Sequence, residues 1–323
     1  MIVVTGGAGF VGSAYVRLLL DTTDHEITVL DALTYAGSLD RLDLEANRAR
    51  LRFVRGDVAD PDAVASALAG ADQVVHFAAE SHVDRSLLDA APFERTNILG
   101  TTVVCRAALD AGIERLVHIS TDEVYGPVTE GTSDRTEASP LAPTSPYARS
   151  KARSDEIVLD LHARHGLPAV IVRSSNQYGP WQFPEKLIPF AVARLLTGAA
   201  VPVYGDGLQV RDWLHVDDNC AAIERVRTAG TTGSVYNVAG HAPRTNLHVV
   251  HAIVAHLGLG PDRIEHVEDR VDHDRRYAMA TDRIEALGAP APRAFEPALG
   301  ATIDWCRDHE PWWRPLLDRV RNR

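Results

Sequence analysis

Nowhere in the chain do about 18 apolar residues follow one another, the length that a bilayer-spanning helix needs. No basic leader precedes the first apolar stretch, Ile2-Val3-Val4, so neither a signal peptide nor a membrane span is expected. Cysteine is scarce: Cys105, Cys220 and Cys306 are 3 thiols scattered over 323 residues. That spacing fits neither a disulfide framework nor a zinc-ligand pair, and it makes the reducing cytoplasm the expected compartment. Basic residues are outnumbered, 33 against 44 acids, for a formal net charge of −11. A phosphate-tracking nucleic-acid surface is therefore not expected, although a local group of Arg and Lys suffices for a small anion. Histidine is more plentiful. The pairs His162/His165 and His251/His256 lack the Cys or acidic companions of a metal site, and no metal is expected.

The length suffices for one large core or two lobes. A content of 45% hydrophobic and 24% charged residues is ordinary for a globular protein. Strand-like apolar runs fall at 2–5, 27–30, 51–54, 73–77, 116–120 and 169–173, and amphipathic stretches at 11–21, 60–68, 92–111 and 147–165 lie between them. Alternation of this kind predicts an α/β fold, a Rossmann-type doubly wound parallel sheet with its ligands at the carboxyl ends of the strands. After Arg173 the rhythm breaks into Pro-, Gly- and aromatic-rich sequence. The expected division is a Rossmann domain over 1–173, joined by 210–232. A smaller mixed α/β substrate lobe, made of 174–209 and 233–323, interleaves with it.

The first motif, "VVTGGAGFVGS", satisfies Gly-x-Gly-x-x-Gly from Gly7 and Gly-x-x-Gly-x-x-Gly from Gly6. Glycine permits a tight turn and close approach of backbone to a pyrophosphate, and the following helix offers its N–H groups. Asp31 ends the next strand 19 residues beyond Gly12, where a carboxylate can bind both ribose hydroxyls and repel a 2′-phosphate. NAD is thus expected rather than NADP. The cradle comprises Gly6, Gly9, Phe10, Val11 and Gly12, and the ribose side comprises Asp31, Ala32, Leu33 and Thr34. Asp57 and Val58 close the third strand at the adenine edge. Phe77, Ala78 and Ala79 close the fourth, with small side chains leaving room for the cofactor.

The second motif, "SPYARSKA", puts Tyr147 and Lys151 one turn apart on a helix face. An ammonium beside a phenol lowers a pKa that starts near 10. The pair then becomes a base for a hydroxyl proton as hydride leaves for a nicotinamide.

At this point the chain resembles the extended short-chain dehydrogenase/reductase family that acts on nucleotide-linked sugars. The likeness runs through "TGGAGFVGS", "FAAESHVDRS", "TNILGT", "YARSK" and "YNVAG", in order and over essentially the whole chain. It implies NAD as cofactor, with Ser81, Thr96 and Gln177 added to its contacts. It also implies a homodimer through a four-helix bundle built from 92–111 and 147–165.

The third motif is "HISTDEVYG", where Thr121, Asp122 and Glu123 follow a buried strand. Two adjacent carboxyls push their pKa values apart, so that one can give a proton while the other takes one. A 4-epimerase has no use for such a pair, whereas loss of water across carbons 5 and 6 of a hexose needs both. The motif resembles the signature of nucleoside-diphosphoglucose 4,6-dehydratases. That likeness implies Asp122 as general acid, Glu123 as general base and Thr121 at the 4-oxygen, with dTDP-glucose as substrate. A nucleotide-glucuronate decarboxylase would need a receiver for the sugar carboxylate, and none stands out. A merely NAD-sensing protein would have no need of Tyr147, Lys151 and the acids together.

By the same likeness Ser81, Thr121, Asn176, Glu185, Lys186 and Leu187 meet sugar and diphosphate. Pro202, Val203 and Tyr204 line the base pocket, and Arg211, Asn246, Arg270, His273 and Tyr277 hold nucleoside and diphosphate. Arg and Lys converging on a diphosphate are what an acidic protein needs there. Two departures stand out. Gln177 occupies a position that is usually Asn, and its longer amide is expected to shift the nicotinamide contact. Val271-Asp272 replaces a usual Pro-Gly and adds a charge near the diphosphate. Thymidine and uridine differ at this site by one methyl, typically worth about 1–3 kcal/mol.

Overall fold

A computed structural model describes residues 1–129, 131–269 and 273–321. Arg270 and the Val271-Asp272 departure lie outside the described residues. The strands are β1 (Ile2–Thr5), β2 (Ile27–Asp31), β3 (Leu51–Arg55), β4 (Gln73–His76), β5 (Arg115–Thr121) and β6 (Ala169–Ser174), then β7 (Asn176–Tyr178), β8 (Val201–Tyr204), β9 (Val210–His215), β10 (Val235–Val238), β11 (Pro243–Thr245) and β12 (Ile264–Val267).

Seven of them form one sheet in the order β10-β6-β5-β4-β1-β2-β3, and every pairing within it is parallel. Apart from β3, whose middle is partly exposed, the runs of Val, Ile and Leu are buried along most of their length. That is what a parallel sheet covered on both faces requires. Helices Phe10–Thr22 and Val216–Ala229 cover one face, with Tyr15, Val16, Leu19, Ile223 and Val226 in its core. Helices Pro61–Leu68, Thr101–Asp110 and Pro146–His165 cover the other, through Val64, Val104, Ala108 and Val158. The starts of two of these helices are written locally. Asp60 accepts from the Asp62 and Ala63 N–H groups and Ser145 from that of Ala148, each with proline just inside the helix.

Two elements differ from expectation. The single helix expected over 92–111 is Ala91–Phe93, a wide π-helical turn over Glu94–Gly100, and Thr101–Asp110. Within that turn the Asn97 amide satisfies both backbone groups of Glu80 and donates to Ser150 Oγ at 2.8 Å. Hydrogen-bond spacing of this kind leaves no mark in hydrophobic periodicity. The seventh strand, β10, falls inside the stretch expected to belong to the second lobe. Its four residues are buried, and it pairs with β6 at the sheet's edge, where Glu137 Oε1 accepts from the Asn237 N–H at 3.1 Å.

Helices Leu187–Leu196, Asn246–His256 and Phe295–Asp308 share a separate core with Val192, Val250, Ile253 and Ile303. The small sheets β11-β9-β7 and β12-β8 flank them. Strand order reverses at β1, which lies between β2 and β4. The crevice outside the carboxyl ends of the strands at such a reversal is where open α/β sheets bind ligands.

Candidate active site

One cleft of about 1770 Å³ runs along those strand ends. Every described residue that the sequence assigns to catalysis, cofactor or substrate lies on its wall. The glycine turn after β1 sits at one end. A Cβ on Gly12 would come within 2.3 Å of the Gly6 carbonyl oxygen, and one on Gly6 within 2.6 Å of the Ala78 nitrogen. Gly6 also adopts φ +69°, open to glycine at little cost. Asp31 ends β2, and its carboxylate accepts from Ala8 N at 2.9 Å and Leu33 N at 2.8 Å. Burial pushes this carboxyl up, against the two backbone N–H groups and Arg41. Asp57 is already engaged, by Ala59 N at 2.8 Å and Arg95 at 2.7 Å.

Thr121 ends β5 and caps the short 3-10 turn Asp122–Tyr125, its hydroxyl accepting from Glu123 N at 3.3 Å and donating to Asp122 Oδ1 at 3.2 Å. Asp122 is buried. Burial first, and then the neighbouring Glu123, push its carboxyl up to about 8, while Arg211 pulls the other way. A carboxyl that is still largely protonated at neutral pH can donate a proton.

The phenol differs from the sequence expectation. Burial, followed by Glu123, raises the Tyr147 hydroxyl above its ordinary value, and the Thr121 hydrogen bond opposes this. The Lys151 ammonium is turned to the strand, donating to the Ile119 carbonyl at 2.7 Å and lying 3.5 Å from His118 Nε2. Burial lowers the Lys151 ammonium to about 8, against the pull of Asp155.

On the substrate side the Arg211 guanidinium donates to the carbonyls of Val210 and Asp274, with its carbon 4.6 Å from the Tyr277 ring centroid. Tyr277 donates to Asp274 at 2.5 Å. Lys186 Nζ donates to the Ser81 carbonyl at 2.8 Å. Glu185 accepts from the Tyr35 hydroxyl at 2.9 Å, and Arg85, 3.5 Å from Glu185, stacks on the Tyr35 ring. Tyr35 and Arg85 line the same cleft, and only the fold brings them to Glu185, so no local signal in the sequence singles them out. Asn219 Nδ2 holds the Gln177 side chain at 2.9 Å, while Asn219 Oδ1 accepts from the Ser174 hydroxyl.

Ser120 and Ser175 also escaped the sequence reading. Their hydroxyls, with Asn176 Oδ1, are buried without a hydrogen-bond partner on the cleft wall. Buried polar atoms of this kind want a ligand's donors and acceptors. With the bare glycine turn and Asp31, they make the residues present a fit for a dinucleotide with a polar substrate beside it.

A parallel sheet with a glycine turn at its reversal point, and with Tyr–Lys and Asp–Glu pairs at neighbouring positions of one cleft, defines a dinucleotide-dependent enzyme class. The chain belongs to the NAD dependent epimerase/dehydratase family, whose model matches residues 2–239. It is 48% identical over 325 residues to a dTDP-glucose 4,6-dehydratase of Streptomyces antibioticus, an alignment covering 98% of this chain and 96% of that one. The crystal structure of DesIV, a dTDP-glucose 4,6-dehydratase of Streptomyces venezuelae with NAD bound, matches with TM-score 0.94 at 45% identity, over 98% of this chain and 99% of that one. The UDP-glucose 4-epimerase of Thermus thermophilus in complex with NAD matches at 0.88 and 30% identity, over 95% and 99%. The expected kinship with nucleotide-sugar enzymes, and the Rossmann-type fold, are borne out.

Proposed function

We propose that the chain is an NAD-dependent hydro-lyase that converts dTDP-glucose to dTDP-4-keto-6-deoxyglucose and water, an intermediate of the kind deoxysugar biosynthesis consumes. Bound NAD supplies the hydride acceptor for carbon 4 and the donor for carbon 6, so no external oxidant is needed. Tyr147 takes the 4-hydroxyl proton, with the Thr121 hydroxyl at the same oxygen. Once carbon 4 is a ketone, the proton on carbon 5 is acidic, and Glu123 removes it. Asp122 gives its proton to the 6-hydroxyl, which leaves as water, and carbon 5 is reprotonated at the end.

The observation that carries this reading is the buried Asp122 carboxyl, raised to about 8 beside Glu123. Epimerisation needs no such acid. The relatives that share dTDP-glucose 4,6-dehydratase activity support the thymidine nucleotide.

The division of labour that fits this reading gives the dinucleotide to the main sheet and the nucleotide sugar to the lobe that includes 174–209. A homodimer through the helices within 91–110 and 146–165 is supported by Leu99, an apolar side chain 45% exposed within the first of these segments. Among the described residues no helix is long and apolar enough to cross a membrane. The three cysteines are buried and free, in keeping with a cytoplasmic location.

The test supplies the purified protein with dTDP-glucose and no reductant, and follows the base-induced absorbance of a 4-keto sugar together with product mass. A product lighter by one water, much slowed in Asp122→Asn and Glu123→Gln, is expected. A product of unchanged mass with galactose configuration would mean epimerisation and would overturn the reading.

A further inference from the structure

Arg41 ends the short 3-10 turn Leu39–Arg41 and is 2% exposed. Its guanidinium donates to three carbonyls from three parts of the chain. These are Ala8 in the glycine turn at 2.9 Å, Ala36 in the loop after β2 at 2.6 Å, and Trp181 in the second lobe at 3.1 Å. The same Ala8 residue donates its N–H to Asp31, so one residue links the guanidinium to the ribose acid. Trp181 itself adopts φ +69°, a left-handed backbone that a bulky residue keeps only when its surroundings over-determine it. Trp312, from the C-terminal helix Glu310–Arg321, caps the arrangement. Its ring lies 5.2 Å from the Arg41 guanidinium carbon and 5.0 Å, edge-on, from the Trp181 ring. Asp318 and Val320 of the same helix reach the cleft wall, whereas Arg41 does not.

We propose that Arg41 is a positioning residue that clamps the glycine turn, the ribose loop and the second lobe into one unit, with Trp312 shielding it from water, so that the dinucleotide stays bound through the whole cycle. The inference rests on the reading that this chain uses NAD. The proposed reaction borrows a hydride and returns it, so the same cofactor molecule has to remain from first step to last. Three carbonyls approached from different directions suit the planar fork of arginine and not the point charge of lysine. With the guanidinium removed, three carbonyls, that of Ala8 buried, lose a donor, and the two cofactor loops lose a tether to each other and to the lobe. Arg41 touches neither reacting atoms nor the cleft, so its effect belongs to cofactor retention rather than to chemistry.

The test compares wild-type holoenzyme with Arg41→Met, Arg41→Lys and Trp312→Leu. NAD retained after gel filtration and the NAD dissociation constant, read from tryptophan fluorescence, are measured with KM for NAD and kcat at saturating NAD. We expect Arg41→Met to weaken NAD binding by about tenfold or more, Arg41→Lys to fall between, and KM to move far more than kcat. Trp312→Leu should lose retained NAD in the same direction, and it carries the test should Arg41→Met fail to fold. Unchanged NAD affinity in Trp312→Leu and in any Arg41 variant that folds, or a fall in kcat with affinity intact, overturns the proposal. A wild-type chain that binds no NAD overturns the cofactor reading and this inference with it.

Discussion

The Lys151 ammonium donates to the Ile119 carbonyl at 2.7 Å, two residues before Thr121 on the same strand. This bond ties the helix that carries Tyr147 to the strand end that carries the acid pair. Asp155, one turn beyond Lys151, accepts from Arg173 Nε at 2.8 Å. At 3.5 Å its contact with His118 is too long for a firm hydrogen bond. Burial pushes the Asp155 carboxyl up, yet His118, Arg173 and Lys151 outweigh this and hold it low. The helix is thus anchored through buried charge.

Asp155→Asn leaves the buried Arg173 without its anion. Loss of one partner of a buried pair typically costs about 3–5 kcal/mol. Urea unfolding should show the midpoint falling accordingly, and a change within about 0.5 kcal/mol would mean that Arg173 finds another anion.

Asp122→Asn keeps the shape of the side chain and removes its proton. Elimination should slow by about 10²–10⁴-fold, while oxidation at carbon 4 survives. Single-turnover absorbance should therefore show reduced cofactor accumulating where wild type shows little. Equal loss of both steps would contradict the assignment of Asp122 to the leaving hydroxyl.

The same carboxyl links stability to pH. Its folded pKa, about 8, lies above the ordinary aspartate value of 3.8, so the folded state holds the proton after the unfolded state has released it. Its contribution to stability therefore declines as pH rises from about 4 to about 8 and then levels off. Asparagine does not titrate. The melting temperature of Asp122→Asn should gain on wild type across that window, as paired thermal melts at about pH 5 and about pH 8 would show, and a constant difference would rule out a raised pKa.

Glu123→Gln removes a carboxylate that disfavours the Tyr147 phenolate. The phenol should then ionise at lower pH than in wild type. The pH profile of carbon-4 oxidation, followed by cofactor reduction, should shift its alkaline-rising limb toward lower pH. A limb that stays in place would mean that burial alone sets the phenol.

Much of this site was legible because its signals are local. Only a bare backbone fits the turn at Gly6 and Gly12, and an i, i+4 spacing brings Tyr147 and Lys151 to one helix face in any context. Three consecutive residues, Thr121 to Glu123, at the end of an apolar strand, announce themselves without any partner. The start of the helix that carries Tyr147 is equally local in kind, since Ser145 caps it and Pro146 supplies a fixed φ. The second lobe was legible chiefly through resemblance, because its short strands and helices alternate without a repeating period.

The sequence by itself determined the parallel sheet, through the alternation of apolar runs and amphipathic stretches, and the glycine turn, the acid at the end of β2 and the Tyr–Lys and Asp–Glu motifs, each written within one turn or at one strand end. Only the tertiary structure decided that burial raises the Asp122 carboxyl, what the Lys151 ammonium touches, that β10 completes the sheet, and that Arg41 joins three segments under Trp312. Those outcomes depend on burial and on contacts between residues far apart in the chain, and desolvation is a property of the packed molecule that no local pattern encodes.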